Sequence, residues 1–306
     1  MSSAPSLSAV PARPGILLMV LATFLWGATF VVIRDTVATI DALVLVFLRF
    51  GIAGLLYLPI VALRAKPWSR AAITGGIASG VWTTGGYLFQ AIGLESTSAG
   101  SSAFLTSAAT LFAGFFAWPL LGQRPQPVLV AGIGIALAGS ALLTLRSGLE
   151  VGAGEAWTLL GAVCYAVQIV VVARYALRVD GAQLVAVQSL TVALILLPFA
   201  GPAAAQAASL GASGWLRVGY LIVAGSMIAP LLQVLAQRSL PPGRIGLLFA
   251  LEPVFALMFA ATVGAERFEW RWWFGALLIL TALLLVEGAA AARERRRRRL
   301  SASTPP

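Results

Sequence analysis

The segment LLFALEPVFALMF, residues 247–259, places a carboxylate, Glu252, and the helix-interrupting Pro253 in the middle of an apolar run. A second charge of this kind, Arg49, interrupts FLRFGIAGLL at 47–56. A charged group withdrawn from water is costly unless it finds a counter-charge, so a buried carboxyl takes a proton, an ammonium or a guanidinium. The missing residue types narrow the chemistry further. The chain has no histidine and one cysteine, Cys164. Zinc sites of the usual His-bearing kinds, thiolate metal sites, a disulfide framework and Ser-His-Asp hydrolysis are thereby excluded. Asp35, Asp41 and Glu95 show no spacing of paired acids. A membrane-embedded enzyme is left as a distant alternative, a passive channel as another, and no cofactor is expected.

Uncharged polar groups recur at helical spacing. Trp26 and Thr29 lie at i, i+3; Thr83, Tyr87 and Gln90 at i, i+4, i+7; Ser102, Thr106 and Thr110 at i, i+4, i+8. Gly161, Tyr165 and Gln168 form a fourth face, and Ser226, Pro230, Gln233 and Gln237 a fifth. Such faces turn away from lipid, toward water or protein. They fit a central cavity, with helix-to-helix packing as the alternative, chiefly for the serines and threonines. Trp26 and Trp82 each sit about eleven residues into their segments, too deep for an interfacial indole, and are expected to line the cavity. Gly132, Ala136 and Ser140 make a small-residue stripe suited to packing, within the bundle or between protomers.

The elements that must carry these faces follow from composition. Of 306 residues, 59% are hydrophobic and 10% charged, against roughly 25% charged in an average soluble domain. Ten apolar runs have about the 20 residues a helix needs to cross a bilayer: 15–36, 42–63, 71–92, 98–120, 127–146, 156–177, 182–200, 215–237, 243–263 and 270–290. The expected fold is an all-α integral membrane bundle. Residues 1–14 are expected to be a disordered cytoplasmic N-terminus, 200–214 a Pro/Ala/Gly/Ser-rich link, and 291–306 a basic cytoplasmic tail. The first apolar run is too long for a signal peptide and lacks a convincing A-x-A site, so it is kept as a helix.

With both termini cytoplasmic, the inner turns hold nine Lys/Arg before the tail and the outer ones five: Arg34, Arg146, Arg217, Arg267 and Arg271. The positive-inside rule favours this orientation. The run Arg295–Arg299 and the net charge of +10 read as a cytoplasmic stop touching anionic lipid. Without aromatic interleaving or a folded basic module, nucleic acid is not expected. Trp68, Trp118, Trp157, Trp215, Trp270, Trp272 and Trp273 fall near segment ends, at interfacial depth.

The chain also repeats itself. An offset of 139 sets Trp26 on Tyr165, Thr29 on Gln168, Asp41 on Asp180, Arg49 on Gln188 and Pro59 on Pro198. An offset of 143 sets Thr110 on Pro253, Gln123 on Glu266 and Gly132 on Gly275. Five crossings per copy invert the second copy in the membrane, as in secondary transporters, whose site lies near the midplane. Because Thr110 replaces Pro253, the helix break is expected in the second copy alone.

FLWGATF at 24–30, FLRFGIAGLL at 47–56, TSAGSSAFLT at 97–106, LEPVFALMF at 251–259 and GAERFEWRWWFGALLIL at 264–280, in this order and doubled, resemble the paired EamA domains of the drug/metabolite transporter superfamily. The resemblance covers about 15–290, with repeats at 15–146 and 156–290. Thr110, Gln123 and Tyr165-Ala166 depart from the family's frequent Pro, Glu and Trp-Gly, so substrate identity does not carry over. The resemblance implies ten transmembrane helices as two inverted five-helix repeats and a bacterial inner-membrane location. It also implies a cavity between helices one, three, four, six, eight and nine. Members export amino acids, drugs and other metabolites, by proton coupling or facilitated exchange.

The resulting expectation is a secondary active transporter, not an enzyme, exporting a small amphipathic solute, with protons as the candidate coupling ion. Import or facilitated uniport is the alternative. Substrate is expected at Trp26, Trp82, Tyr87, Gln90, Thr106, Tyr165, Gln168, Gln233 and Glu252. Arg49 lies about 12 Å from the outer edge of its helix, at 1.5 Å per residue, close to the height of Glu252. Three readings stand open: a fixed Arg49–Glu252 bridge, Glu252 facing the cavity to carry a proton or meet a substrate ammonium, or a cap or packing role.

Overall fold

The computed structural model describes residues 12–144, 152–263 and 269–302. Residues 1–11, Arg146, Glu266 and Arg267 lie outside this range, as do 303–306. Ala12, Arg13 and Pro14, expected in a disordered extension, already belong to the first helix.

The described chain is almost entirely helical: α1 Ala12–Val37, α2 Ala42–Leu63, α3 Arg70–Ser96, α4 Ala99–Ser107, α5 Ala109–Leu121, α6 Pro127–Thr144 and α7 Ala153–Tyr175. Then come α8 Gly181–Ile195, α9 Ala200–Ser209, α10 Ala212–Tyr220, a π-helical run Leu221–Ile228, α11 Ala229–Ala236, α12 Pro242–Phe249, α13 Glu252–Thr262 and α14 Arg271–Ala302. Among the described residues, seven spans are long and apolar enough to cross a membrane, and an eighth if the bent run from Gly181 to Ser209 counts as one. α3 has the length, with 27 residues, but the Gly, Thr and Gln of its polar face keep it out of that set. The apolar part of α6, Pro127–Leu142, is short.

Caps fix the ends. Ser69 accepts from Ala72 N–H at the start of α3, Ser98 from Ser101 N–H at α4, and Asp180 from Ala182 and Gln183 N–H at α8, satisfying amides with no intrahelical partner. Gly122, with φ of 69°, takes the left-handed turn that ends α5.

Three expectations are corrected. The 200–214 link contains α9, set at 61° to α8 after Pro198 and tied down by the Asp41–Gln206 contact. Trp272 turns inward and is buried, whereas Trp270 and Trp273 are exposed. The helix break occurs in both copies, not in the second alone. Between α12 and α13, the N–H groups of Ala250 and Leu251 bond three residues back, just before Pro253, which has no N–H to give. Between α4 and α5, Ala108 N–H bonds Leu105 O in the same way. Hydroxyls replace the proline there: Ser107 Oγ donates to Phe104 O at 2.6 Å and Thr110 Oγ1 to Gly246 O of α12 at 2.7 Å. Such side-chain bonds to backbone carbonyls bend helices.

Packing follows the repeat. α1 packs on α13 as its counterpart α7 packs on α5, while α2 pairs with α8, α5 with α12 and α6 with α14, each across the halves. The halves thus interdigitate, and glycines set the close approaches. In the small-residue stripe, a Cβ at Gly132 would stand 2.5 Å from Val286 Cγ2 on α14 and Ser140 Oγ lies 3.2 Å from Ser107 Oγ, so the stripe packs within the chain. On α3, a Cβ at Gly93 would sit 2.8 Å from Gly154 O of α7, and the reverse contact is equally tight. Gly93→Ala is therefore expected to cost about 1–3 kcal/mol, read as a lower melting temperature in detergent.

Candidate functional site

The broken spans meet in the centre. There α4 passes into α5 through Ala108, and α12 into α13 through Ala250 and Leu251, all three in right-handed helical backbone, so each pair remains one span with a local interruption. Glu252 is the first residue of α13. Its position in the inverted copy belongs to Ala109, and both residues line one cavity.

That cavity collects Trp26, Tyr87, Gln90, Thr106, Tyr165, Gln168, Gln233 and Glu252, all expected from the sequence. Thr29, Phe30, Thr83, Ala109, Ile169, Gln188, Pro230 and Phe249 complete the wall. Trp82 is not there: it is 38% exposed on the outer surface of α3. One residue of rotation, 100°, separates it from Thr83, which does face inward. Phe30, Phe249 and Gln188 were missed. The phenylalanines carry no signal in an apolar helix, but Gln188 occupies the repeat position of Arg49 and was legible on that ground.

Hydrogen bonds layer the wall. Toward the end where α3 finishes, Tyr165 OH donates to Gln90 Oε1 at 3.1 Å and Gln90 Nε2 to Thr106 Oγ1 at 3.2 Å. Toward the opposite end, Gln233 Nε2 donates to Gln168 Oε1 at 3.1 Å and Gln168 Nε2 to Gln188 Oε1 at 3.4 Å. Trp26 stacks on Phe249, ring centroids 5.3 Å apart, and donates Nε1–H to Gly225 O at 3.0 Å. Gly225 lies in the π-helical run, and five residues on stands Pro230, which has no N–H to return to its carbonyl; Tyr57 OH donates to Met227 O at 2.8 Å. The remaining space is about 40 Å³, room for a few waters at roughly 10–15 Å³ each and well short of the ~300 Å³ of a small-molecule pocket.

The Arg49–Glu252 bridge does not form. Arg49, 1% exposed, donates Nε–H to Ser226 Oγ at 2.9 Å and lies 4.6 Å from the centroid of Tyr87. Its Nη2 has no hydrogen-bond partner among the described residues. Equal depth did not bring the two charges together because α2 packs on α3, α8 and the π-helical run, and Tyr87 fills the line to the cavity. Gly225 provides the room: a Cβ there would stand 2.7 Å from Arg49 Nη2 and 3.1 Å from Thr29 Cγ2. Glu252, 3% exposed, faces the cavity with no hydrogen-bond or ion-pair partner among the described residues.

Polar contacts sort the turns between two ends of the bundle. At one end Lys66 and Arg64 pair with Asp180 at 3.2 and 3.5 Å, Gln183 donates to Lys66 O and Pro67 O, and Arg238 to Ala176 O and Val179 O. At the other, Gln206 meets Asp41, Arg217 donates to Asp35 O, and Thr97 to Glu155. Asp41 and Asp180 are repeat mates. Partial burial works against the Asp180 charge, but the Lys66 bond, the two amides and Arg64 outweigh it and hold the carboxyl below its usual range. A carboxyl with a depressed native value stabilises above its unfolded value, near 3.9, and loses that contribution as pH falls through the native value. Asp180→Asn is thus expected to melt below wild type at pH 7 and to converge with it only as pH falls below the depressed native value, in a detergent melting series.

The two repeats share a central cavity, and the chain belongs to the EamA-like transporter family, whose pattern matches it twice, at residues 13–145 and 152–288. Among its relatives, the uncharacterized inner membrane transporter YedA of Escherichia coli K12 is 28% identical over 260 residues, 80% of this chain and 82% of that one. An uncharacterized transporter of Archaeoglobus fulgidus is 27% identical over 250 residues, 81% of this chain and 77% of its own. A solved crystal structure, 21% identical, covers 92% of this chain and 99% of its own with a TM-score of 0.73, which establishes likeness of fold.

Proposed function

We propose that the protein is a secondary active transporter that exports a small amphipathic metabolite, an amino acid or a drug-like cation, by alternating access coupled to protons. The observation that carries this reading is Glu252: a carboxyl 3% exposed, at the cavity wall, with no hydrogen-bond or ion-pair partner among the described residues. Such a group is satisfied by a proton or by a substrate ammonium, and exchange of one for the other is the coupling. Amide and aromatic walls suit a solute with one polar end and an apolar body. A central cavity lined from both repeats suits a site that alternating access would open to each side in turn.

The same reading takes the chain across the membrane ten times, with both termini in the cytoplasm and the protein in the inner membrane. Its supports are the sorting of turn contacts between two ends and the excess of Lys and Arg at the end that also holds the start of α1 and the end of α14. Inside-out membrane vesicles test direction and coupling together. When acidified inside, they are expected to accumulate a labelled ammonium-bearing solute and to release it when an ionophore collapses the pH gradient. Accumulation only in right-side-out vesicles, driven by external acid, would make the protein an importer.

A further inference from the structure

Outside the central site, a groove of about 440 Å³ opens where α5, α6, α12 and α14 meet at the basic end of the bundle. Its rim and floor differ in chemistry. At the rim stand Arg124, Arg244 and Arg293; at the floor, Gly114, Ala117 and Val286. Arg244 is neutralised by Glu287, with Nε to Oε1 at 2.7 Å. Arg124 lies over the Trp118 ring, 5.4 Å from its centroid, and Arg293 meets the side-chain oxygen of Gln126, so neither has a carboxylate among the described residues. The groove therefore keeps two uncompensated guanidiniums over an apolar slot. Gly114 lies seven residues before the end of α5, roughly 10 Å below the rim at 1.5 Å per residue.

A charged rim, an apolar floor one acyl segment deep, and a half-exposed tryptophan at the boundary match the profile of the headgroup region. We propose that this groove binds an anionic glycerophospholipid, its phosphate between Arg124 and Arg293 and one acyl chain along Gly114, Ala117 and Val286. Guanidinium forks suit phosphate oxygens better than solvated charge does, because they offer paired N–H donors in a fixed plane. The site lies apart from the transport cavity and does not depend on the transport reading.

Native mass spectrometry of the full-length protein with phosphatidylglycerol or phosphatidylcholine of equal chain length tests it. Wild type is expected to hold phosphatidylglycerol at least tenfold more tightly. Arg124→Gln with Arg293→Gln abolishes that preference even though the Arg295–Arg299 run is intact. Removing the same charge at the same end, by Arg70→Gln with Arg178→Gln, leaves it. Gly114→Phe fills the slot, since a Cβ there meets nothing nearer than Ile133 Cδ1 at 3.7 Å, and is expected to weaken the lipid with all charges present. Glycerol phosphate at millimolar concentration fails to displace it. Equal loss in both arginine pairs, no headgroup preference in wild type, full binding by Gly114→Phe, or displacement by glycerol phosphate would each overturn the proposal.

Discussion

Glu252→Gln is expected to yield folded protein whose transport no longer follows a pH gradient. The reason lies in what Glu252 does not touch. It makes no hydrogen bond or ion pair with the described residues, so the carboxamide, nearly its equal in shape, breaks nothing when it replaces the carboxyl. Relieved of a desolvated acid, the variant should melt within a few degrees of wild type. Gradient-driven accumulation should fall by at least tenfold, since an amide carries no exchangeable charge. Exchange without a gradient separates the two tasks assigned to the carboxyl. A proton carrier alone leaves exchange intact, whereas an ammonium partner raises its KM by about tenfold, equivalent to ~1.4 kcal/mol. A variant that melts far below wild type yet transports normally per folded molecule would make Glu252 structural.

Arg49 calls for the opposite experiment, because its surroundings look expensive without being plainly stabilising. One guanidinium nitrogen bonds Ser226, the Tyr87 ring faces the cation, and Nη2 has no hydrogen-bond partner among the described residues. Replacing a buried charge by an apolar side chain of similar length is often neutral or stabilising, while truncation leaves a void. Arg49→Met is thus expected to match or exceed the wild-type melting temperature, with Ser226 free to turn to its own helix. Arg49→Ala is expected to cost about 2–5 kcal/mol through the cavity it opens. Both should lose at least tenfold in transport, because Arg49 fixes Tyr87, a cavity wall residue of the first half, against the π-helical run of the second. Full activity in Arg49→Met would reduce the arginine to a packing element.

Much of this arrangement was readable from residue order because hydrophobic run length and the 139-residue offset are direct records of the bilayer and of the duplication. The faces carrying Tyr87, Gln90, Thr106, Tyr165, Gln168 and Gln233 were readable for the same reason: a polar group in a spanning helix has to turn inward. Trp82 misled because indole depth says how far a ring is from the interface and not which way the helix is rotated; Thr83 beside it had the better claim. The Arg49–Glu252 bridge failed on a second missing coordinate. Depth along a helix is legible, but lateral position depends on which helices are neighbours, and α2 and α13 are separated at this level by Tyr87. The break at Ala108 was hidden because hydroxyl-to-carbonyl bonds bend a helix without the mark that proline leaves. Gln188 is the instructive case of a missed but available signal, since its repeat mate had already been singled out.

Counterflow in proteoliposomes is the most direct measurement of whether the central cavity is a transport site. Purified protein is reconstituted with an unlabelled amino acid or cationic drug inside, and uptake of trace labelled solute is followed with no pH gradient. The expected result is a transient accumulation that saturates with external solute and is lost when Gln168 and Gln233, which close one end of the cavity, are both replaced by leucine. Uptake that rises linearly without saturation, or no movement of any solute across a panel of both classes, would contradict it.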